Sequence, residues 1–336
     1  MTGIPPPGRA ALHLVRAAVL APSIHNTQPW LFVGEERDHG VELYADPARR
    51  LPLTDPGGRE MTISCGAALF NLRLAVRNLG FTPHVTYLSD PLDATFLARV
   101  GWGPYAAPGA DETRMLAALP HRHTARGPLR SDPLPTSLIN DLRRHAQAEG
   151  ATLHVLEDPD ERRRLAHVVR AAENIHRTTS RYAAELAHWT RPPGRSRPDG
   201  IPDETCAHHP DCTPFAQRDY TRLTRVFPTP PWQHPSRTGL VCVLTTAHDD
   251  RLAWLRAGQA LQRVLLHAAA HHVMAGFHTQ PLELSRLRAR VTAGITHGET
   301  PQMILRLGYS PPLNGLPRRP PGHVLVGRAD AHGVRT

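Results

Sequence analysis

The chain has 336 residues, 40 % of them hydrophobic and 21 % charged, which suits about two domains or one large one and supports a packed core rather than global disorder. Its formal charge is +9 without a single Lys, so all 39 cations are Arg. With aromatic residues at only 5 %, the stacking platforms of a nucleic-acid binder are scarce, and the Arg surplus reads as solvated surface.

Four Cys (Cys65, Cys206, Cys212, Cys242) are too few for a disulfide scaffold of this length. The longest stretch free of Asp, Glu, Lys and Arg runs from Val264 to Leu282 and holds four His, so no membrane span is expected. Arg9 and Arg16 interrupt the first twenty residues, which lack the apolar core and cleavage site of a signal peptide. The expectation is a cytoplasmic protein with no membrane or nucleic-acid partner.

In chain order, Ala10–Leu20 reads as a short amphipathic helix ended by Pro22. Trp30–Val33 and Val41–Tyr44 read as strands joined by the polar turn Gly34–Gly40. The spacing of Leu69, Leu72, Val76 and Leu79 predicts a helix over Ile63–Leu79, stopped by Gly80. Pro83–Leu88 is a strand and Asp93–Val100 a further short segment.

The remainder repeats the theme. Ser137–Glu149 reads as a helix, Thr152–Leu156 as a strand, and Glu161–Arg177 as an amphipathic helix with Leu165, Val168, Ala172 and Ile175 on one face. Leu240–Thr245 is a buried-type strand, Leu252–Ala275 a long helix, and Gln302–Leu307 and His323–Val326 are the last strands. Trp189 to Arg237 is rich in Pro, Arg, His and Asp, has little periodicity, and is longer than a connecting loop. The two strongest helices share a pattern: Gly66-Ala-Ala-Leu-Phe-Asn-Leu aligns with Gly258-Gln-Ala-Leu-Gln-Arg-Val. The alignment pairs Leu69 with Leu261 and Leu72 with Val264, which suggests an internal duplication.

Walker A, G-x-G-x-x-G, His-Glu-x-x-His and Gly-x-Ser-x-Gly patterns are absent. Cys206, His208, His209 and Cys212 are soft donors, but four within seven residues are cramped for one tetrahedral ion, and no second pair stands at finger spacing. No metal is assigned. Glu35, Glu36 and Glu60 read as surface carboxylates, so no protein nucleophile or catalytic carboxylate is assigned either.

The informative segment is Ala21-Pro22-Ser23-Ile24-His25-Asn26-Thr27-Gln28-Pro29-Trp30, at a helix-to-strand junction where such residues are common turn chemistry. Its order resembles the Pro-Ser-x-x-Asn-x-Gln-Pro-Trp signature of the FMN-dependent nitroreductase family, which contacts the flavin from the neighbouring subunit. A second segment, Arg122-His123-Thr124-Ala125-Arg126, is similar to the Arg-x-Ser/Thr-x-Arg/Lys motif that holds the FMN phosphate and ribityl chain in that family. Arg offers forked donors to phosphate, and a hydroxyl between two Arg can bond a ribityl or phosphate oxygen. A third, Leu316-Pro317-Arg318-Arg319-Pro320, resembles the C-terminal basic pair that closes on the same phosphate.

The order of motifs differs from an ordinary nitroreductase subunit, where the Arg motif comes first. Here the Pro-Ser-x-x-Asn segment leads and the Arg motif opens the second half. Together with Asp55-Pro56-Gly57-Gly58-Arg59-Glu60 and the Gly66 and Gly258 helices, this resembles the Acg-type branch of fused, pseudo-dimeric nitroreductase-like proteins.

The resemblance implies an α+β nitroreductase-type fold duplicated in one chain, an antiparallel or mixed sheet flanked by helices. Its halves would be residues 1–119 and 120–336, with a lid-like insertion at about 189–237. It implies a pseudo-dimer compatible with a monomer, and one FMN held by Pro22, Ser23, His25, Asn26, Gln28, Pro29, Trp30, Arg122, His123, Thr124, Arg126, Arg318 and Arg319. It also implies NAD(P)H as reductant and a small nitroaromatic or quinone-type electron acceptor, the flavin carrying the chemistry. The alternative is a flavin-sequestering protein whose lid covers FMN, with little turnover.

Overall fold

The computed structural model describes residues 8–35, 39–90, 92–191, 197–206, 213–220, 238–311 and 315–333. The first elements are α1 (Arg9–Ala18), β1 (Trp30–Gly34), β2 (Gly40–Ala45), α2 (Arg59–Asn78), β3 (Phe81–Tyr87), β4 (Phe96–Tyr105) and α3 (Ala110–Ala118). Then come α4 (Thr136–Gln147), β5 (Thr152–Val155), α5 (Pro159–Thr178), α6 (Ser180–Trp189) and the short pair β6 (Thr190–Arg191) and β7 (Ile201–Pro202). The chain continues with β8 (Leu240–Thr246), α7 (Arg251–Ala270), β9 (Val273–Phe277), α8 (Ser285–Gly294), β10 (Thr300–Tyr309), β11 (Leu325–Val326) and α9 (Arg328–Gly333).

The strands form two main sheets, so the fold is α+β. One has the order β11-β1-β2-β4-β3 and the other β5-β8-β10-β9. The first is antiparallel, with Phe32 of β1 opposite Leu43 of β2, except that β11 joins β1 in parallel, Leu325 beside Phe32. The second is antiparallel throughout. Helix α2 packs on the first sheet, α7 on the second, and the two helices pack on each other. Both are buried on nearly every face, the pattern of internal rather than surface helices.

The helices meet through the two glycines that align in the sequence. A Cβ on Gly66 would stand 2.2 Å from the Leu255 carbonyl oxygen, and one on Gly258 would stand 2.0 Å from that of Ile63. Only hydrogen side chains let these backbones touch. The crossing is braced by a fully buried hydrogen bond, Gln262 Nε2 donating to Asn71 Oδ1 at 2.8 Å.

The observed elements differ from the sequence expectation in instructive places. Helix α2 begins four residues early, because Gly58 sits at φ +71° and the Asp55 carboxylate caps the Met61 N–H at 2.8 Å; the first turn is polar, so apolar periodicity does not reveal it. Helix α7 ends at Ala270 rather than Ala275. His272 adopts φ +60° and turns the chain into β9, a reversal hidden inside a run without Gly or Pro. Ile175 is 41 % exposed rather than on the inner face of α5. Helices α3, α6 and α8 are absent from the sequence reading. Of the Cys/His cluster, His208, His209 and Cys212 lie outside the described residues, as do 192–196 and 221–237 of the mid-chain stretch.

The crossing makes a sharp prediction. Gly258→Ala should destabilise the protein by about 3 kcal/mol or more, the upper end for overpacking against backbone. Gly57→Ala, where a Cβ meets nothing within 4 Å, should stay within about 0.5 kcal/mol of the parent. Urea unfolding of both variants checks this; equal stabilities would place the close approach elsewhere.

Candidate functional site

A pocket with about 900 Å³ of atom-free space, part of it continuous with solvent, opens where the two layers meet. Its wall brings together three segments far apart in sequence: Pro22 to Asn26 after α1, Thr124 to Arg126 before α4, and Leu316 and Arg318 near the end. Helices α2 and α7 supply Glu60, Ile63, Ser64 and Leu261, and Phe277 and Met303 add apolar surface.

The first segment is a knot of left-handed backbone. His25, Asn26 and Gln28 have φ of 47°, 55° and 52°, a conformation unfavourable for residues with a Cβ unless side chains enforce it. They do so here. Ser23 Oγ accepts the Gln28 N–H at 2.9 Å. Asn26 Nδ2 donates to the carbonyls of Gly200 (3.0 Å) and Pro317 (3.2 Å), and its Oδ1 accepts from Arg318 Nη1 at 3.1 Å. Gln28 Nε2 donates to the Pro198 carbonyl at 2.7 Å, and its Oε1 accepts the Arg319 N–H at 2.7 Å. Asn26 and Gln28 are therefore clasps, fixing the mid-chain and C-terminal segments against the first half. Pro29 and Trp30 run on into β1. Trp30 is fully buried in the core beside α2, and the Pro29 carbonyl accepts from the Cys65 thiol at 3.2 Å.

The Arg residues divide into two kinds. Arg319 is spent inside the protein: its guanidinium donates to the carbonyls of Gln28 and His323, both at 3.1 Å, and lies 3.7 Å from Asp46. It does not line the pocket. Arg318 does, and although Nη1 reaches Asn26, its buried Nε has no partner. Arg122 is 5 % exposed; one Nη donates to the Leu20 carbonyl at 3.3 Å, while Nε and the other Nη have none. Burial, then Arg318 and Arg126, pull the Arg122 pKa down to about 9, and burial and Arg126 pull Arg318 down to about 10. Arg126 and Arg318 line the pocket and Arg122 does not, but the three guanidiniums act on one another electrostatically, and Arg122 and Arg318 keep donors without partners, an arrangement suited to an anion. His123 stands beside it, half-buried, its pKa lowered by burial and by Arg122 and Arg318. Thr124 lines the pocket and is held by a bridge to Ala275 of β9.

His25 faces the pocket from the knot. Its Nδ1 lies 3.2 Å from the Tyr220 hydroxyl, its buried Nε2 has no partner, and burial and Arg218 keep the ring neutral, well below its ordinary pKa. Tyr220, Arg218 and Gln217, from the mid-chain stretch, line the pocket too; the sequence reading singles out none of them.

Glu60 corrects that reading outright. It is 4 % exposed and lines the pocket, bonded to Arg59 at 2.8 Å. Burial raises its pKa from 4.5 to about 7. The signal available in the sequence was its place two residues after Gly58, in the first turn of an internal helix. Glu35, by contrast, is clasped by Arg99 at 2.5 and 2.6 Å, and Glu36 lies outside the described residues.

Relatives place the chain. It is 35 % identical over 313 residues to "Putative NAD(P)H nitroreductase Rv3131" of Mycobacterium tuberculosis H37Rv, covering 90 % of this chain and 87 % of the relative. It is 33 % identical over 333 residues to "Putative NAD(P)H nitroreductase acg" of the same strain, covering 95 % and 96 %. The chain belongs to this nitroreductase family, the one that includes Acg. Among solved structures, a crystal structure titled a putative nitroreductase from Anabaena variabilis aligns over 90 % of this chain and 88 % of its own, at 11 % identity and TM-score 0.48. No family model matches. No helix among the described residues is long and apolar enough to cross a membrane.

Two measurements probe the site without any cofactor. Saturating inorganic phosphate should raise the protein's stability by about 1–3 kcal/mol through binding to the native state alone, seen as a higher Tm. Arg122→Met should lose the response; an unchanged response would remove Arg122 from the anion site. Because the raised Glu60 pKa means the native state keeps a proton that the unfolded chain has given up, stability should fall as pH rises from 4.5 through about 7. Glu60→Gln should make that slope shallower, the raised carboxyls of Glu283 and Glu173 supplying what remains, and chemical denaturation across pH reads the difference.

Proposed function

We propose that this chain binds one FMN in the pocket and works as an NAD(P)H-dependent oxidoreductase of the nitroreductase type, passing electrons to a small nitroaromatic or quinone-type acceptor. The observation that carries the reading is the set of orphaned donors: Nε and one Nη of Arg122 and Nε of Arg318, buried beside Arg126. A phosphate group offers the several acceptor oxygens such a cluster lacks. Beyond it, Ile63, Leu261, Phe277 and Met303 supply the apolar walls a flat ring system needs. When bound, FMN would supply the redox chemistry, taking hydride from NAD(P)H and giving electrons to the acceptor.

The protein's part is to hold and enclose. Arg122, Arg126 and Arg318 bind phosphate, with the Thr124 hydroxyl available to a ribityl or phosphate oxygen. Ser23, Asn26 and Gln28 fix the knot that presents Pro22 and His25. Arg319 acts at one remove: by tying its own backbone and side chain to Gln28, it aims Arg318 inward. The site draws on two units, residues 1–119 with the knot and 120–336 with the Arg motif, as in a dimer written into one chain. The presence of NAD(P)H-named relatives supports the reductant, and the absence of a spanning helix among the described residues is consistent with a cytoplasmic protein.

A second reading is sequestration of the flavin with little turnover. It is favoured by Arg218 and Tyr220, which bring the mid-chain stretch onto the pocket wall. Stopped-flow mixing with NADPH separates the two: rapid bleaching of flavin absorbance supports the enzyme, and a flavin that stays oxidised supports sequestration.

Released flavin should be FMN at about one per chain. Arg122→Ala should weaken FMN by roughly 10- to 150-fold, the cost of about 1.5–3 kcal/mol for a lost charged hydrogen bond, while affecting riboflavin far less. Equal losses for both, by fluorescence titration, would show that Arg122 does not read the phosphate.

A further inference from the structure

We propose that a groove on the second layer, separate from the main pocket, binds a phosphorylated long-chain amphiphile, its phosphate on the arginines of the walls and its alkyl chain on the apolar surface below them. The site stands apart from the oxidoreductase reading and does not rest on it.

The groove encloses about 1710 Å³ of atom-free space, part of it continuous with solvent, against about 900 Å³ in the main pocket, and the two share no lining residue. One wall is helix α5. Its apolar residues Leu165, Val168, Val169 and Ala172 turn into the core. The helical repeat therefore sends Arg162, Ala166 and Arg170, at i, i+4 and i+8, to the groove, with Arg163 and His167 beside them. A second wall is the loop of residues 130–134, whose start is tied to the end of β10 by the Arg130 N–H donating to the Tyr309 carbonyl at 2.8 Å. The bottom is the edge of the core. Phe215 and Leu307 are buried there, while Leu134, Ile139 and Leu240 are half-buried and leave apolar surface in the groove.

Charge selects the head of the ligand. The described lining carries four Arg and one His against a single carboxylate, Asp132. Arg163 is engaged by Asp160, and Arg170 has a contact of its own. The guanidiniums of Arg130 and Arg162, one from each wall, have neither a hydrogen-bond nor an ion-pair partner among the described residues. Each offers a fork of donors that matches phosphate oxygens. From Arg162 to Arg170 the cations extend over about 12 Å of helix. A phosphate, with close to two charges and three free oxygens, answers such a spread better than a carboxylate does.

The apolar surface selects the tail. A bare phosphate, or the backbone of a nucleic acid, would leave Leu134, Ile139 and Leu240 facing water. Phe215, the one Phe, Tyr or Trp of the described lining, is 2 % exposed and offers little face on which a base could stack. An alkyl chain covers that surface and is driven there by the hydrophobic effect. Apolar surface rimmed by charge in a concave site is the pattern of ligand grooves.

Isothermal titration of the full chain with decyl phosphate, below its micelle concentration, tests the site. Saturable binding is expected, weakened by added salt. Arg130→Gln and Arg162→Gln should each weaken it by about 5- to 10-fold. Octyl phosphate, two methylenes shorter, should bind about 10-fold more weakly. Ile139→Asp, which sets a carboxylate in the apolar wall, should abolish binding, and Arg122→Met should leave it unchanged. Loss of binding in Arg122→Met with none in the groove variants would put the ligand in the main pocket and overturns the proposal. So does an affinity indifferent to chain length, or equal binding of decyl maltoside, which has the tail without the charge. Binding to vesicles containing phosphatidic acid, with none to decyl phosphate in solution, would make this face a membrane-docking surface and overturns it as well. Should Ile139→Asp not fold, the chain-length series and the two Arg variants, whose side chains hold nothing in the described fold, decide alone.

Discussion

The contact between Gly66 and Gly258 governs the rest of the molecule. Two internal helices, each carrying a sheet on its outer side, touch backbone to backbone at those residues. Any larger side chain would push the layers apart. Because Glu60, Ile63 and Ser64 lie within two turns of one glycine and Leu261 within one turn of the other, the separation at the crossing also sets the width of the pocket. Packing and site are in this sense a single constraint.

A second theme is what an all-Arg chain does with its cations. Composition suggests solvated surface, yet Arg59, Arg122, Arg306 and Arg319 are buried. A guanidinium is planar, weakly hydrated and forked, so it can serve several carbonyls at once where an ammonium could not. Arg77 ties Glu112 and the carbonyls of Phe81, Ala106 and Ala107. Arg306, with no exposure, donates to His278 at 2.7 Å and to the Thr238 carbonyl at 3.2 Å. These residues act as interior fasteners for loops. Arg122 and Arg318 differ in having donors left over.

Much of this was legible in the sequence, and for physical reasons. Trp30–Val33, Leu240–Thr245 and the amphipathic α5 announce themselves through pattern, and the Gly66 and Gly258 alignment identified the residues that meet. The three motif segments do converge on one pocket, though not all their residues face it. What stayed hidden has identifiable causes. Strand β9 follows α7 through a left-handed His rather than a Gly or Pro, so nothing in composition marks the break. The roles of Arg318 and Arg319 depend on which way adjacent side chains turn, and that follows from Gln28, some 291 residues distant. Glu60 looked like surface because burial of a charge cannot be seen until its partners, Arg59 and Arg218, are placed around it.

The clasp between Gln28 and Arg319 has a consequence in time as well as in space. A ribosome makes the knot of residues 23–28 near the start and delivers its partners, Pro317, Arg318 and Arg319, near the end; β11, which seals the edge of β1, comes later still. Throughout synthesis the nascent first layer therefore carries an open sheet edge, a ready template for wrong pairing, and its left-handed turn lacks the C-terminal side of its support. The cluster of Arg122, Arg126 and Arg318 is incomplete for the same interval. Completion of the pocket wall is thus scheduled after translation of the C-terminal segment, and the slow long-range closure of the chain and the completion of the pocket become the same event.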